Sequence, residues 1–183
     1  IQILYKTLND IPDIVCERCF YDPDTLGINS LESGRPISSF RIAFFTVSYE
    51  LDYVNILKLL RLSNITLESA GRKEDEPLIV AGGICVMSNP EPIHSFFDLF
   101  IMGDIESTIK AFMGRYMAIN GEKREDIIYE LSNFEWVYNP KHMSVEYNDD
   151  GTIHAYSPES FSVSLSRYEE SHLGTSAVIA DET

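Results

Sequence analysis

Three short apolar segments alternate with helix-like segments between residues 41 and 117, and this alternation limits the possible folds more than any other feature of the sequence. The segments are RIAFFTV (41–47), PLIVAGG (77–83) and DLFIMGD (98–104). Short, nearly continuous apolar runs are typical of strands that are covered on both faces of a parallel sheet. We therefore expect three parallel strands, with RIAFFTV in a central position.

The segments between these strands have the periodicity of helices. Apolar residues recur every three positions after the first strand, at Leu51, Val54, Leu57 and Leu60. Residues 90–97 begin as a helix does, with a proline in the first turn. Another apolar face follows the third strand and comprises Ile105, Ile109, Phe112, Met113 and Tyr116. Strands that alternate with helices predict an α/β fold, namely a Rossmann-like, right-handed, doubly wound parallel sheet.

The flanking segments complete the predicted domain organisation. Residues 1–9 are predicted to be a helix, and IVCERCF (14–20), which is partly alternating and partly β-branched or aromatic, is predicted to be an outer strand. Since the helix at 1–9 should follow a strand, we expect the first strand and its loop to lie upstream of the given sequence. We assign 1–118 to the Rossmann-like domain and 119–183 to a small α+β appendage.

The appendage begins with a helix, GEKREDIIYELSNF (121–134), and continues with a short strand in WVYNP (136–140). A hairpin with an Asp-Asp-Gly turn is predicted in SVEYNDDGTIHAYSP (144–158). The remaining residues, which end in TSAVIADET (175–183), lack a helix cap or a turn and read as the entry to a further domain.

Charge and cysteine content exclude several classes of function. The chain has 14 Lys and Arg against 29 Asp and Glu, a formal charge of −15, which disfavours direct binding to nucleic acids or anionic membranes. No apolar run is long enough to span a membrane, and no signal peptide is visible at residue 1. The three cysteines form no secreted disulfide framework. We therefore predict a cytoplasmic location, and the sequence leaves the oligomeric state open.

The strongest candidate for a ligand site is the set of loops that follow the three strands. Ligands of doubly wound sheets bind at the carboxyl ends of the strands. The residues at these positions are Ser48, Gly82, Gly83 and Gly103. Glycine allows the backbone to approach a ligand closely, but it also allows a tight turn. The residues alone favour the two interpretations about equally.

The other residues whose side chains could take part in chemistry are more consistent with structural roles. Cys16 and Cys19 have CxxC spacing, but in a strand they would point to opposite faces, and Cys85 is expected to be a small buried side chain. The histidines are scattered, at positions 94, 142, 154 and 172. Glu32, Arg35 and Glu50 could either line the cleft or brace loops, and the acidic run 74–76 reads as a solvated loop. No catalytic triad, metal cluster or acid–base pair emerges.

Four motifs, in this order, resemble the N-terminal, cobalamin-binding-like domain of radical S-adenosylmethionine (radical SAM) proteins. They are LESGRPISSF (31–40), TVSYELDYVNIL (46–57), AGGICVMSNPEPI (81–93) and FFDLFIMGDIES (96–107). The glycine pair followed by Asn-Pro-Glu-Pro, and then a strand that ends in Gly-Asp, is a specific combination. The closing TSAVIADET is similar to the segment that this family places before its radical SAM core.

The resemblance implies a set of cofactors and partners. Cobalamin would contact the Ser48 hydroxyl and the backbone at Gly82, Gly83 and Gly103. No Asp-x-His-x-x-Gly motif is present, so histidine ligation of cobalt is not expected. The iron–sulfur cluster and S-adenosylmethionine would belong to a downstream radical SAM domain in the same polypeptide, which carries a Cys-x-x-x-Cys-x-x-Cys motif.

Two functions follow from the resemblance. The first is an accessory domain, inert alone, that positions cobalamin or substrate over the catalytic core. The second is a cofactor-free scaffold that docks substrate or partner. A free-standing nucleotide-binding enzyme is disfavoured, because neither GxGxxG nor a P-loop accompanies the glycines.

Overall fold

The computed structural model describes residues 1–21, 29–158 and 162–168. The α-helices are α1 (Gln2–Asn9), α2 (Asp52–Leu62), α3 (Ile84–Ser88), α4 (Ile105–Ile119) and α5 (Arg124–Leu131). The strands are β1 (Ile42–Thr46), β2 (Leu78–Gly82), β3 (Leu99–Ile101), β4 (Val137–Tyr138), β5 (Ser144–Tyr147) and β6 (Ile153–Ser157). Short 3-10 helices occupy Ile37–Ser39, Ser69–Gly71, Glu91–Phe96 and Pro140–His142. In these ranges, no helix combines the length and the apolar character that crossing a membrane requires.

One mainly parallel sheet organises the chain, with the strand order β1-β2-β3-β4. β1, β2 and β3 are parallel, and Ile42 lies opposite Leu78. The last strand, β4, is antiparallel to β3 and places Tyr138 opposite Phe100. β5 and β6 form a separate hairpin, whose turn contains Gly151 at a φ of 83°. The predicted Rossmann-like α/β fold and the predicted hairpin are confirmed.

Two apolar clusters cover the two faces of the sheet. The α2 face contains Ile56, Leu60, Ile79, Phe97 and Phe100. The α4 face contains Val80, Leu99, Ile109, Phe112 and Leu131, and α1 contributes Leu8. The consecutive β2 residues Ile79 and Val80 therefore point to opposite clusters, and both are fully buried. Each such side chain contributes about 1.5–3 kcal/mol to the free energy of unfolding. Because helices cover both faces, the sheet is doubly wound.

The position of β1 differs from the prediction. RIAFFTV was expected in a central strand, but β1 is the first strand of the sheet and has only β2 beside it among the described residues. Its residues Ile42 to Phe45 are half-buried, whereas Leu78 to Ala81 of β2 are buried. An apolar run indicates cover on the two faces of a strand, but it carries no information about the neighbours at its edges.

The predicted outer strand at 14–20 is not a strand. Its backbone is held by side chains instead: Asn9 Oδ1 accepts from the Cys16 amide at 3.0 Å, and Glu32 Oε2 accepts from the Arg18 amide at 2.7 Å. A β-branched and aromatic composition favours a strand only where a neighbouring strand provides a ladder of hydrogen bonds. Within the described residues, no such neighbour is present.

The apolar face of α2 also differs from the prediction. Leu51 is 86% exposed and Val54 is 58% exposed, whereas Ile56, Leu59 and Leu60 are buried. A spacing of three residues drifts around a helix of 3.6 residues per turn, so residues nine positions apart lie on roughly opposite sides. Leu51 and Leu60 therefore cannot share a face. In α4, the predicted face is confirmed, because Ile109, Phe112, Met113 and Tyr116 are buried.

The predicted appendage begins as expected, with helix α5 and strand β4, and both contact the sheet domain. β4 pairs with β3, and the Arg124 amide at the start of α5 donates to Glu74 Oε2 at 2.8 Å. The boundary between 118 and 119 stays a prediction. The segments 169–183, including TSAVIADET and His172, lie outside the described residues.

A buried charged network closes the amino end of the sheet. Asp98 Oδ2, just before β3, accepts from Arg72 Nη1 at 2.9 Å, from Arg124 Nη2 at 2.6 Å and from the Ile79 amide at 2.7 Å. The Asp98 side chain is fully buried, and the Arg124 side chain is 9% exposed. Hydrogen bonds to charged groups are stronger than neutral ones, so this network joins three parts of the chain that are distant in sequence.

The acidic run 74–76 is an exposed turn before β2, as predicted, but two of its carboxylates also make specific hydrogen bonds. Glu76 accepts hydrogen bonds from the amides of Thr66 and Lys73, and from the Thr66 hydroxyl at 3.0 Å. Glu74 caps α5, as its bond to the Arg124 amide shows. A carboxylate at the first turn of a helix satisfies a free amide and complements the helix dipole. Sequence reasoning missed both roles because the partners lie up to 50 residues away.

Candidate functional site

The carboxyl ends of the three parallel strands meet at one edge of the sheet. The Val47 amide, after β1, donates to Gly82 O of β2 at 2.8 Å, and the Cys85 amide donates to Val47 O at 3.3 Å. Gly103 follows β3 by two residues. The structure therefore brings the four predicted positions, Ser48, Gly82, Gly83 and Gly103, to the same edge. Whether they bind a cofactor stays a prediction.

Gly83 is a position that only glycine fits. Its φ is 113°, and a Cβ atom built on it would lie 2.6 Å from Val47 O and 3.0 Å from Val47 N. Both the backbone conformation and the available space exclude a side chain. The space beside the Gly83 Cα atom is therefore filled by the backbone at the end of β1.

Gly103 contacts a second segment of the chain in the same way. Its φ is 105°, and a Cβ atom would clash with Ser166 O. The segment Ser164 to Tyr168, which we call the strap, crosses the end of β3 here. The Ser166 amide donates to Met102 O at 3.1 Å, and the Asp104 amide donates to Ser166 O at 2.9 Å. Asp104 Oδ2 also accepts from the Tyr168 amide.

Sequence reasoning did not find the strap. The residues 161–166, FSVSLS, alternate between apolar and serine residues, and this period of two is the available signal for an extended segment. The prediction treated them only as part of the entry to a further domain. Their partner, the end of β3, is about sixty residues away in sequence, as the Ser166–Met102 pair illustrates, so the pairing itself has no local signature.

Ser48 is the one predicted site residue with an exposed functional group. No hydrogen bond joins its hydroxyl to another residue in the described ranges, and the residue is exposed. Large exposed apolar side chains accompany it at this end of the sheet, where α2 and α3 begin: Tyr49 (70% exposed), Leu51 (86%), Val54 (58%) and Ile84 (58%). We call these four residues the carboxyl-edge patch.

The cysteine pair does not form a reactive site in this structure. Cys16 packs against the α4-face cluster and Cys19 against the α2-face cluster, so the two thiols point to different faces although the segment is not a strand. Burial raises the pKa of each thiol to about 11. Both thiols are therefore protonated at neutral pH, whereas the nucleophilic form of cysteine is the thiolate. Across the described ranges, no group of three metal-ligating side chains occurs.

Two of the three remaining candidate side chains, Glu32 and Arg35, brace loops. Glu32 binds Arg18 through the Arg18 amide and through Nε, the latter at 2.8 Å. Arg35 donates to Ser39 O at 3.1 Å and lies over the Phe40 ring, 5.0 Å from its centroid. Glu50 lies exposed at the carboxyl edge. Of the two interpretations that the sequence left open, the bracing role holds for Glu32 and Arg35.

The described histidines are apart from one another. His94 Nδ1 lies 2.6 Å from Glu91 O, His142 Nε2 lies 3.4 Å from Asn139 Nδ2, and His154 is exposed on β6. Glu91 also accepts from the Tyr138 hydroxyl at 2.5 Å, and burial together with this carboxylate raises the pKa of Tyr138. This contact ties the 3-10 helix Glu91–Phe96 to β4.

Comparisons with known proteins identify a matching family model and a relative. The family model described as "Radical SAM proteins, N-terminal" matches residues 1–140. The protein described as Uncharacterized protein MJ0966, from Methanocaldococcus jannaschii, is 37% identical over 83 residues. That match covers 45% of this chain and 17% of the relative, so the chain corresponds to a small part of the relative's length. No solved structure matches significantly.

Proposed function

The chain belongs to the family of N-terminal domains of radical SAM proteins, and on that premise we propose that it is an accessory domain of a longer radical SAM protein. In this proposal, the carboxyl edge of the sheet faces a radical SAM catalytic domain in the same polypeptide and positions a cofactor or substrate over it. The iron–sulfur cluster and S-adenosylmethionine belong to that catalytic domain, and this domain supplies no reacting group.

The observation that carries the proposal is the carboxyl-edge patch. Three of its side chains, Tyr49, Leu51 and Ile84, are 58–86% exposed in a chain whose formal charge is −15. Apolar side chains grouped at one edge of a polar protein mark a surface that binds another molecule or domain. The same edge is where doubly wound sheets bind ligands. A docking role therefore explains both the position and the chemistry of the patch.

Cobalamin is the second candidate, supported by the resemblance of the motifs and by Ser48. The free, exposed Ser48 hydroxyl is available to a ligand, and the neighbouring Tyr49 and Ile84 offer apolar area to a flat ring. Gly83 and Gly103 fit the group less well, because backbone of the chain itself fills the space beside each Cα atom. Bound cobalamin would supply alkyl-transfer or redox chemistry at cobalt, and the chain would supply orientation.

Hydrogen exchange tests the docking proposal. The amides of residues 48–54 and 84–87 should exchange more slowly in the protein expressed from its complete reading frame than in this 183-residue chain. The Ile84→Asp variant of the complete protein should lose that protection, because a carboxylate would be buried in the contact. Ile153→Asp is the matched control, since Ile153 is 60% exposed on β6 and lies outside the patch.

The docking proposal fails if these amides exchange at the same rate in both proteins. It also fails if Ile84→Asp and Ile153→Asp have the same effect on exchange at the carboxyl edge. A reading frame that encodes no radical SAM domain contradicts the proposal directly.

An absorbance titration with hydroxocobalamin tests the second candidate. We expect the complete protein to bind it without histidine ligation of cobalt, and this chain to bind about a hundredfold more weakly, a difference of about 3 kcal/mol. Ser48→Ala should weaken binding by roughly three- to tenfold, the effect of one lost hydrogen bond. Ser95→Ala, at an exposed serine outside the edge, is the control. If the complete protein does not bind hydroxocobalamin, the cobalamin proposal is wrong and the cofactor-free docking role remains.

A further inference from the structure

The outer edge of β1 carries backbone groups that have no partner among the described residues. Arg41 O accepts from the Leu78 amide at 2.9 Å, and the Val47 amide donates to Gly82 O at 2.8 Å. Since the backbone groups of a strand alternate in direction, the odd-numbered residues bond to β2. The amides and carbonyls of Ile42, Phe44 and Thr46 therefore point away from β2.

A groove of about 670 Å³ lies along this edge. This volume is far larger than the voids of a packed protein interior. Side chains from both faces of β1 line it, including Phe44 on the α4 side and Phe45 on the α2 side. Leu4 of α1 and Ile37 complete the apolar walls.

The opposite wall of the groove is the segment Asp13 to Cys19, which also has free backbone groups. The amides and carbonyls of Cys16 and Arg18 are bonded, to the Asn9 side chain and to Glu32 and Leu31. No hydrogen bond in the described ranges engages the amides of the alternate residues Val15, Glu17 and Cys19. The bonds therefore fall on alternate residues, as they do at the edge of a strand.

We infer that the groove is the seat of a further β-strand, which lies between β1 and the segment Asp13 to Cys19. The strand is an apolar segment of the same polypeptide outside the 183 residues given. The groove requires apolar side chains on both faces of the strand, because its walls belong to both core clusters. The relative from Methanocaldococcus jannaschii is several times longer than its matched region, which covers 17% of it, so a longer polypeptide is available to supply a strand.

This inference explains two corrections to the predicted fold together. With the strand in place, β1 becomes a central strand, as its apolar composition predicts. The segment 14–20 then has a neighbour to pair with, and its β-branched and aromatic residues lie at the outer edge of the sheet. An open edge beside apolar side chains is also a risk for aggregation, which the added strand removes.

Hydrogen exchange of individual β1 amides tests the inference. In the protein expressed from its complete reading frame, the amides of Ile42, Phe44 and Thr46 should exchange roughly a hundredfold more slowly than in this chain. The amides of Ala43 and Phe45, which face β2, are the internal control and should be protected in both proteins. This readout differs from that of the docking test, which concerns residues 48–54 and 84–87, so either proposal can fail alone.

A pair of variants makes the test specific to the outward amide. Thr46→Pro removes this donor, which an open edge tolerates but a paired strand does not. It should lower the protection of Ile42 and Phe44 at least tenfold in the complete protein and change this chain little. Thr46→Val keeps the amide and should leave protection unchanged.

Three outcomes would overturn the inference. The first is equally fast exchange of Ile42, Phe44 and Thr46 in both proteins. The second is slow exchange in this chain alone that depends on protein concentration, which would assign the groove to a second copy. The third is slow exchange in this chain at every concentration, which would mean that the 183 residues fill the groove themselves.

Discussion

The two ends of the sheet use polar groups in opposite ways. At the amino end, Asp98, Arg72 and Arg124 are buried and bonded to one another and to backbone groups of distant segments. At the carboxyl end, the backbone is packed tightly at Gly83 and Gly103, while the Ser48 hydroxyl stays exposed and unbonded in the described structure. The charged residues of the amino end therefore belong to the architecture, whereas polar side chains at the carboxyl end, such as Ser48, are exposed.

This contrast shows that a cluster of charges is not by itself a site. Asp98 Oδ2 already accepts three hydrogen bonds, from two guanidinium groups and one amide, so it is not available to a ligand. Asp98 Oδ1 and Arg124 Nε are buried with no partner in the described structure, which adds a desolvation cost to the network. A buried network of this kind is costly to disrupt, whereas an exposed edge tolerates change. Three predictions test this difference, in order of expected effect.

Asp98→Asn should have the largest effect on stability. The substitution leaves Arg72 and Arg124 buried without an anion, which should lower the free energy of unfolding by about 3–5 kcal/mol. The same change at Asp10, which forms an exposed pair with Lys6, should cost less than about 0.5 kcal/mol. Urea unfolding of both variants measures the difference. Equal costs would mean that the network contributes no more than a surface ion pair.

Gly83→Ala tests the packed carboxyl end. The new Cβ atom would lie 2.6 Å from Val47 O at a φ of 113°, so we expect a loss of about 1–3 kcal/mol. Gly114→Ala, in α4, is the matched control, because nothing lies within 4 Å of its added Cβ atom. This control should gain about 0.5–1 kcal/mol from helix propensity. If both variants lose or gain alike, the close approach of Gly83 to Val47 is not a constraint on the fold.

Glu76→Gln should have the smallest effect and should depend on pH. Burial alone would raise the pKa of Glu76, but hydrogen bonds from Thr66 and Lys73 lower it below the ordinary value of 4.5. The folded state therefore binds this proton less readily than the unfolded state, so the contribution is present above pH 4.5 and is lost as the pH falls through the lower, folded pKa. Thermal unfolding of the parent between pH 6 and pH 3 should accordingly show a steeper loss of stability than that of Glu76→Gln.

Glu68→Gln is the control for this measurement, because Glu68 is exposed and its side chain makes no hydrogen bond among the described residues. Its acid limb should follow that of the parent protein. An identical acid limb for Glu76→Gln would show that the bonds to Thr66 and Lys73 do not distinguish the two protonation states.

Much of the fold could be predicted because its signals are local. The apolar runs identified β2 and β3, and the periodicity of Ile109, Phe112 and Tyr116 identified the buried face of α4. The Asp-Asp-Gly turn identified the β5–β6 hairpin. Two of the errors have a common cause: the edge position of β1 and the irregular segment at 14–20 depend on which strands are neighbours, and the sequence of a single strand does not specify its neighbours.

The candidate site was predicted in position but not in detail. The rule for doubly wound sheets places Ser48, Gly83 and Gly103 at one edge, and the structure confirms that placement. The rule could not reveal that Val47 fills the space beside Gly83, or that Ser166 fills the space beside Gly103. A glycine that admits a ligand and a glycine that admits a backbone look the same in sequence.

The sequence by itself determined the class of fold, the helices and strands of the core and the family to which the chain belongs, because hydrophobic periodicity and motif order are properties of neighbouring residues. Only the tertiary structure decided that Glu74 caps α5, that Asp98 joins two arginines and that the strap crosses the end of β3. These contacts join residues 26 to 64 positions apart, and the free energy that selects them comes from burial and hydrogen bonding in the folded chain.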